Sequence, residues 1–128
     1  MSADKRERHF NNSVWEKNWG YCRAVKVGNV IHVSGTVGQG ADAAEQTRAA
    51  LKTIEDALKK LGASFKDVVR TRMYLTHIER DFDVVGKIHG ETFGQNPPAT
   101  AMIGVSRFVD PKFVVEIEAE AIISSSKL

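Results

Sequence analysis

The sequence has a single cysteine, Cys22, among its 128 residues. One thiol cannot form a disulfide within the chain, and disulfides are typical of oxidising compartments, so the cysteine count favours a cytoplasmic protein. The four histidines are scattered, and none has a cysteine or a second histidine at the spacing of a zinc site. We therefore expect neither a disulfide framework nor a bound metal.

Long apolar runs and a strong charge of one sign are also missing. No hydrophobic stretch reaches the ~20 residues of a membrane-spanning helix, and residues 1–8 are charged, so we expect no membrane segment and no signal peptide. The formal net charge is only +2, with lysines and arginines alternating with acids. This balance argues against a nucleic-acid partner, which would need a basic stripe.

What is present is ordinary for a small globular protein. Hydrophobic residues make up 42% of the sequence, and the length suits a single domain over residues 1–128 with one core. Residues 1–12 are mostly polar, so we expect them to form a loosely held N-terminal extension.

Local patterns predict seven elements in the order ββαβαββ. The pair Gly28-Asn29 between two apolar runs predicts a tight hairpin, because glycine accepts a positive φ without steric cost. Asp42 and Glu45 have capping-box spacing and predict a helix that stops before Gly62. The predicted strands are residues 21–27, 30–35, 65–76, 97–107 and 113–123, and the predicted helices are residues 42–61 and 81–93.

Apolar residues recur at helical spacing on both predicted helices, and this pattern sets the fold class. The residues of the second helix expected to face inward are Phe82, Val85, Ile88 and Phe93. Helices that follow strands and carry one apolar stripe each predict an α+β fold of two layers, with one mixed sheet covered by two helices. The other face of the sheet is left to solvent or to a symmetric oligomer.

The last predicted strand carries the main functional signal. Glu116, Glu118 and Glu120 alternate with apolar residues and therefore point to one face of the sheet. Three carboxylates on one face repel one another, so such a face is normally solvated unless one member turns into a cleft. The position of these three side chains is the central question that the sequence raises.

A concentration of large rings, Trp15, Trp19 and Tyr21, lies around the start of the first predicted strand. We expect these rings to pack on an edge strand or to form a subunit contact, and the alternative places Tyr21 in a pocket. Cys22 points to the other face of an extended strand from Tyr21, so we expect it to be a small core residue.

Five stretches, in their order and spacing, resemble the reactive intermediate deaminase (Rid) family, often labelled endoribonuclease L-PSP. They are Val27-Gly28-Asn29-Val30-Ile31-His32-Val33-Ser34-Gly35, Asp67-Val68-Val69-Arg70-Thr71-Arg72-Met73-Tyr74-Leu75, Asp81-Phe82, Pro98-Ala99 and Val115-Glu116-Ile117-Glu118-Ala119. Each stretch alone is a weak signal, but in this order and spacing they make a resemblance that extends over nearly the whole length of the chain. The resemblance implies a chorismate-mutase-like fold and a homotrimer with clefts between neighbouring subunits.

The resemblance also implies a chemistry, because enzymes of that family hydrolyse reactive enamines and imines to ketoacids and ammonia without a metal or organic cofactor. Position by position, Glu116 matches the glutamate that orients or activates water, and Tyr21 and Ser34 match residues that line the cleft. The position of the arginine that grips the substrate carboxylate is Thr100 here. Threonine cannot imitate the planar donor pair of a guanidinium, so we expect an altered specificity.

A nearby arginine offers a replacement for that missing guanidinium. Strand parity places Arg107 on the opposite face from Thr100, which leaves Arg72 as the candidate, with an ordinary surface or intersubunit charge as the alternative. The sequence thus leaves three functions open: a deaminase-like hydrolase of small reactive carbonyl-derived compounds, a trimeric module that binds small ligands or protects proteins, and an endoribonuclease. The modest charge and the lack of paired histidines count against the last.

Overall fold

The computed structural model describes residues 5–124. Over this range the chain forms one mixed six-stranded sheet with three α-helices, which confirms the predicted α+β class. The strands are β1 (Arg6–His9), β2 (Ala24–Val27), β3 (Val30–Thr36), β4 (Val68–Leu75), β5 (Ala99–Gly104) and β6 (Val115–Ile122). The helices are α1 (Val14–Trp19), α2 (Ala43–Lys60) and α3 (Ile78–Phe93), and a 3₁₀ turn spans Phe65–Asp67.

The sheet order is β1-β2-β3-β6-β4-β5, so the last strand of the chain lies in the middle of the sheet. β6 pairs antiparallel with β3 on one side and with β4 on the other. β5 pairs parallel with β4, with Tyr74 opposite Ile103. The last two strands are therefore separated by β4, and residues 105–114 connect them at the Leu75 end of that strand.

The N-terminal extension contains a strand, which corrects the expectation that residues 1–12 are loosely held. Arg6–His9 form β1 and pair antiparallel with β2, with His9 opposite Ala24. The strand exists because the edge of β2 presents backbone donors and acceptors that need partners. Its side chains are polar and alternate only between exposed and half-buried, so no apolar alternation marks them as a strand in the sequence. Residues 1–4 lie outside the described range.

The core lies between the sheet and the two long helices, as the apolar stripes predicted. Its largest fully buried side chains include Ile31, Ile54, Leu58, Leu75, Val85 and Ile117. α3 begins at Ile78, and Asp81, Val85 and Ile88 form its buried stripe. Phe82, which was expected to face inward, is 53% exposed, because it lies about 100° around the helix from Asp81.

The β2–β3 connection is a tight turn, and the loop before β6 is held in place by a buried side-chain amide. Gly28 has a φ of 63° and closes the β2–β3 hairpin, as predicted. Gln46 on α2 donates to the backbone oxygen of Lys112 at 2.9 Å and accepts from the backbone nitrogen of Val114 at 2.8 Å. The loop before β6 is thereby tied to α2, and this loop forms one wall of the candidate site.

Candidate functional site

An open cavity of about 740 Å³ lies where β3 and β6 meet α1 and the loop before β6. Tyr21 and Glu116, two of the residues singled out from the sequence, both line it. The apolar part of its wall comes from Trp15, Trp19, Val109 and Phe113. A concave, largely apolar surface with a few convergent polar groups is the usual form of a small-molecule site.

The three glutamates of β6 have different surroundings. Glu118 accepts a hydrogen bond of 2.6 Å from the hydroxyl of Tyr74, and Glu120 accepts one of 2.8 Å from Arg72. Within residues 5–124, the Glu116 carboxylate accepts no hydrogen bond and joins no ion pair. It is half-buried at the cavity wall, so a carboxylate without a partner is turned toward the space that a small molecule would occupy.

Gly35 gives the Glu116 carboxylate its position. The pairing of β3 with β6 shifts register between Val33 and Thr36, and Gly35 lies inside this irregular stretch. A Cβ placed on Gly35 would lie 3.0 Å from both the carboxyl carbon and Oε2 of Glu116. The missing side chain therefore lets the carboxylate lie against the backbone of the neighbouring strand.

The environment of Glu116 changes its acidity. Burial raises the pKa of the Glu116 carboxyl above its ordinary value, the nearby carboxylate of Glu118 raises it further, and Arg23 acts in the opposite direction. A carboxylate with a raised pKa is a stronger base, and a pKa closer to the working pH suits a group that accepts a proton in one step and returns it in another. Glu116 thus has the properties of a group that activates water.

Arg23 is a site residue that the sequence reasoning missed. It lines the cavity, its Nη2 donates to the backbone oxygen of Gly35 at 3.1 Å, and its guanidinium carbon lies 5.7 Å from the centroid of the Tyr21 ring. The signal was available, because residues two apart in an extended stretch share a face and Arg23 is two residues from Tyr21.

Trp15 and Trp19 lie on the short helix α1, which the sequence patterns did not predict. The helix forms because the Ser13 side chain caps its start and Gly20, with a φ of 72°, ends it. Residues four apart on a helix share a face, so both indoles reach the cavity. Both remain largely exposed, at 53% and 69%, and the alternative expectation of a subunit contact stays a prediction.

Ser34 lies beside the cavity without being part of its lining. Its hydroxyl donates to the backbone oxygen of Cys22 at 2.7 Å. This bond satisfies a main-chain acceptor, which is the ordinary role of a serine in such a place. Cys22 itself is half-buried and carries a free thiol.

Thr100 and Arg72 lie apart from the cavity in the protomer. The Thr100 hydroxyl, on edge strand β5, accepts a hydrogen bond of 2.7 Å from Thr71, whose own hydroxyl also contacts Nε2 of His89. Arg72 is held by Glu120 on the open face of the sheet. The assignment of these two residues to a substrate cleft between subunits stays a prediction.

Two further findings concern metals and membranes. Across residues 5–124, no three histidine, cysteine or acidic side chains come together as a set that would hold a metal ion. In the same range, each helix is either too short or too polar to cross a lipid bilayer.

Comparison with known proteins places this geometry in a family. The family model described as Endoribonuclease L-PSP matches residues 15–123. A Streptomyces coelicolor protein is 36% identical over 129 aligned residues, covering 94% of this chain and 95% of its own length. The human protein named 2-iminobutanoate/2-iminopropanoate deaminase is 36% identical, covering 80% of this chain and 79% of its own length. Acinetobacter baylyi 3-aminoacrylate deaminase is 32% identical, with coverages of 79% and 85%.

Solved structures agree with the sequence matches. The crystal structure of a Mycobacterium tuberculosis member of the YjgF/YER057c/UK114 family superimposes with a TM-score of 0.91 at 44% identity, covering 93% of this chain and all of that one. A Thermotoga maritima structure described as a putative endoribonuclease has a TM-score of 0.78 at 25% identity. These relatives have the chorismate-mutase-like fold, which confirms the predicted architecture. On its sequence, its fold and its matching motifs, the chain belongs to the endoribonuclease L-PSP family, also known as the Rid or YjgF family.

Proposed function

We propose that this protein hydrolyses imines or enamines of small carbonyl compounds in the cavity beside Glu116. The observation that carries the proposal is the state of this carboxylate, which is half-buried, has a raised pKa and has no bonding partner within residues 5–124. The family supplies the reaction class, because two relatives are named as deaminases of an imino acid and of an aminoacrylate.

The reaction that fits the site is addition of water to a carbon–nitrogen double bond. Glu116 accepts a proton from water as the water oxygen bonds to the imine carbon, and it passes this proton to the nitrogen, which gives a carbinolamine. Glu116 then accepts the proton of the carbinolamine hydroxyl and delivers it to the nitrogen as the carbon–nitrogen bond breaks, so that a carbonyl compound and ammonia leave. The carboxylate ends as it began, so the step needs no external oxidant or reductant. An enamine enters the same sequence after tautomerisation, in which the carbon gains a proton and the nitrogen loses one, gives the imine.

The proposal includes an altered specificity and a homotrimer. In this proposal, Thr100 occupies the position at which the family's arginine grips the substrate carboxylate, and a threonine hydroxyl carries no charge to replace that arginine. The exposed indoles of Trp15 and Trp19 at the cavity rim favour an arrangement in which a neighbouring subunit closes the open side of the cavity. A cytoplasmic location completes the proposal, on the strength of the single cysteine.

Imine turnover tests the proposed reaction. Imines generated in place by an amino-acid oxidase are mixed with the protein, and the release of ketoacid is followed above the uncatalysed rate. The Glu116→Gln variant keeps the shape of the side chain and removes its basicity, so its rate should fall at least 100-fold, the lower end of what positioned acid–base groups contribute. Unchanged turnover in this variant would remove Glu116 from the mechanism.

The Gly35→Ala variant provides a matched test of geometry. The added methyl group would displace the Glu116 carboxylate, since its Cβ would lie 3.0 Å from Oε2, while the far end of a flexible side chain can move at little cost to the fold. We expect lower turnover with a nearly unchanged thermal midpoint. Gly90→Ala is the control, because a Cβ at Gly90 meets nothing within 4 Å. Saturable ligand binding with no turnover in any form would favour the binding module instead.

A further inference from the structure

We propose that Arg23 is the group that holds the substrate's carboxylate in this cavity, so that the preferred substrates are imino acids with an apolar side chain. This inference rests on the proposed hydrolysis for its reaction but on separate observations for its residue. It identifies a specificity-determining arginine in the cavity wall, outside the five stretches that carry the family resemblance.

The first observation is that Arg23 has donor capacity to spare. Within residues 5–124 its side chain donates one hydrogen bond, from Nη2 to the backbone oxygen of Gly35, and it joins no ion pair. Its Nε is buried without a partner, whereas Nη1, also without a partner, is not buried. A guanidinium carries two N–H donors on each terminal nitrogen, so both donors of Nη1 are left for a ligand. The bond to Gly35 fixes the fork before any ligand arrives, which reduces the entropy lost on binding.

The second observation is the shared contact with Gly35. Arg23 binds the backbone oxygen of Gly35, and the Glu116 carboxylate lies against the Cα side of the same residue. The two groups therefore face one small volume without neutralising each other in an ion pair. A molecule that carries a carboxylate next to a carbon–nitrogen double bond would place the first on Arg23 and the second beside Glu116.

The third observation concerns the other charged groups of the cavity wall. Lys112 and Asp110 are paired with each other, with Nζ and Oδ2 separated by 3.7 Å, and both side chains are about half exposed. Arg23 is held more firmly and has no such partner, so it is the stronger anion site. The apolar wall of Trp19, Val109 and Phe113 favours an apolar remainder on the substrate.

The experiment measures binding separately from turnover. α-Ketoisocaproate, the ketoacid that hydrolysis of the leucine imine would yield, is titrated calorimetrically against methyl isobutyl ketone, which lacks the carboxylate. We expect the Arg23→Gln variant to lose roughly tenfold to 150-fold in affinity for the ketoacid, the range of a charge-assisted hydrogen bond, and to bind the ketone unchanged. The Arg23→Lys variant keeps the charge without the planar fork and should fall between the two.

Two further variants make the result specific. Arg48→Gln removes an exposed arginine on α2 that is not part of the cavity wall, and it should bind the ketoacid like the parent protein. Lys112→Gln tests whether the other cation of the cavity wall holds the carboxylate instead of Arg23. Loss of ketoacid affinity in this variant but not in Arg23→Gln would overturn the assignment. An equal loss for ketoacid and ketone in Arg23→Gln would show a purely structural role and would also overturn it, as would a failure of the parent protein to bind the ketoacid.

Failure of the assignment and failure of the proposed function give different results. If the parent protein turns over imines while ketoacid affinity does not depend on Arg23, the hydrolase stands and the Arg23 assignment falls. If ketoacid affinity depends on Arg23 but no imine is turned over, the assignment stands for a ligand-binding site and the hydrolase falls.

Discussion

At the scale of single residues, the neighbouring strand decides the roles of three chemically identical side chains. Tyr74 lies directly opposite Glu116 in the β4–β6 register, but its hydroxyl reaches diagonally to Glu118. Arg72, opposite Glu118, reaches in the same direction to Glu120. Each of these two side chains thus bonds the glutamate two residues beyond the one opposite it on β6, and the Glu116 carboxylate is left without a partner. The diagonal neighbours are within reach of long side chains on one face of a sheet.

The period of two along β6 predicted which face the glutamates occupy, but not which of them is left unpaired. That depends on the direction in which Tyr74 and Arg72 lean, and this in turn depends on the register between two strands more than 35 residues apart in the chain. The spacing of Arg23 from Tyr21 could have predicted that both share a face, but not the contact of Arg23 with Gly35. That contact exists only after the β2–β3 hairpin has formed.

The raised pKa of Glu116 predicts how stability depends on pH. In the folded protein this carboxyl holds its proton to a higher pH than in the unfolded chain. Stability therefore falls as the pH rises from the ordinary carboxyl pKa through the folded-state pKa, and it stays lower above that value. Glu116→Gln removes this loss, so its thermal midpoint should exceed that of the parent protein at neutral pH, and the difference should vanish in acid.

Glu120→Gln is the control with the opposite sign. The hydrogen bond from Arg72 lowers the pKa of the Glu120 carboxyl, so its charged form stabilises the fold above the ordinary carboxyl pKa, and this contribution is lost as the pH falls through the folded-state pKa. This variant should be less stable than the parent at neutral pH and equal to it in acid. Thermal melting curves of the parent protein and of both variants across the pH range measure these differences in stability. The same pH trend in the two variants would contradict the opposite environments assigned to these carboxylates.

At the scale of elements, helix α1 shows how a short polar segment can form part of a binding site. Its anchor is Glu16, which is only 5% exposed and accepts hydrogen bonds from the backbone nitrogens of Asn11 and Asn12 at 3.0 and 3.1 Å. These bonds fold the preceding chain back over the start of the helix. Six residues are too few for an isolated helix to be stable, so its order depends on such contacts.

Glu16→Ala should therefore loosen α1 while leaving the sheet intact. Removing the carboxylate leaves two backbone donors without their acceptor, at a cost of about 1–3 kcal/mol for each that stays buried. We expect faster hydrogen exchange in residues 11–20 and a change in the fluorescence of Trp15 and Trp19, together with weaker ligand binding. Lys17→Ala, at an exposed position on the same helix, is the control. Exchange that speeds up equally in β4 and β6 would instead indicate global destabilisation.

The sequence predicts the two long helices better than it predicts the short elements near the N-terminus. α2 and α3 have long apolar stripes, so their existence could be predicted, although the stripe of α3 includes Asp81 in place of Phe82. α1 and β1 bury no apolar stripe, and their order comes from Ser13, Glu16 and the free edge of β2. Elements that are stabilised by capping and edge pairing leave little trace in hydrophobic patterns.

At the scale of the whole molecule, the central position of β6 links the core to the candidate site. Val115 and Ile117 on one face of this strand are buried under the helices, while Glu116 on the other face reaches the cavity. A strand paired on both sides is held firmly, so the carboxylate is presented from a rigid element. The alternation predicted this two-sided role, but the strand order that makes β6 central came only from the structure.

The resemblance to the family predicts a trimer, and the exposed cavity rim indicates the surface through which its subunits would meet. Trp19 and Val109 at the rim are 69% and 83% exposed, and large apolar groups grouped in this way commonly mark a protein interface. We expect light scattering at micromolar concentration to give the mass of three chains. Val109→Asp should shift the protein toward single chains and weaken ligand binding in parallel, because a carboxylate would have to be desolvated in the interface.

Phe82→Asp is the matched control for the trimer. Phe82 is also more than half exposed, but it lies on α3, on the covered side of the sheet and away from the cavity, so its replacement should leave both the mass and the binding unchanged. A parent protein with the mass of one chain would contradict the trimer. A trimer that survives Val109→Asp would place the subunit contact elsewhere on the surface, and the cavity would then be a site that each chain forms alone.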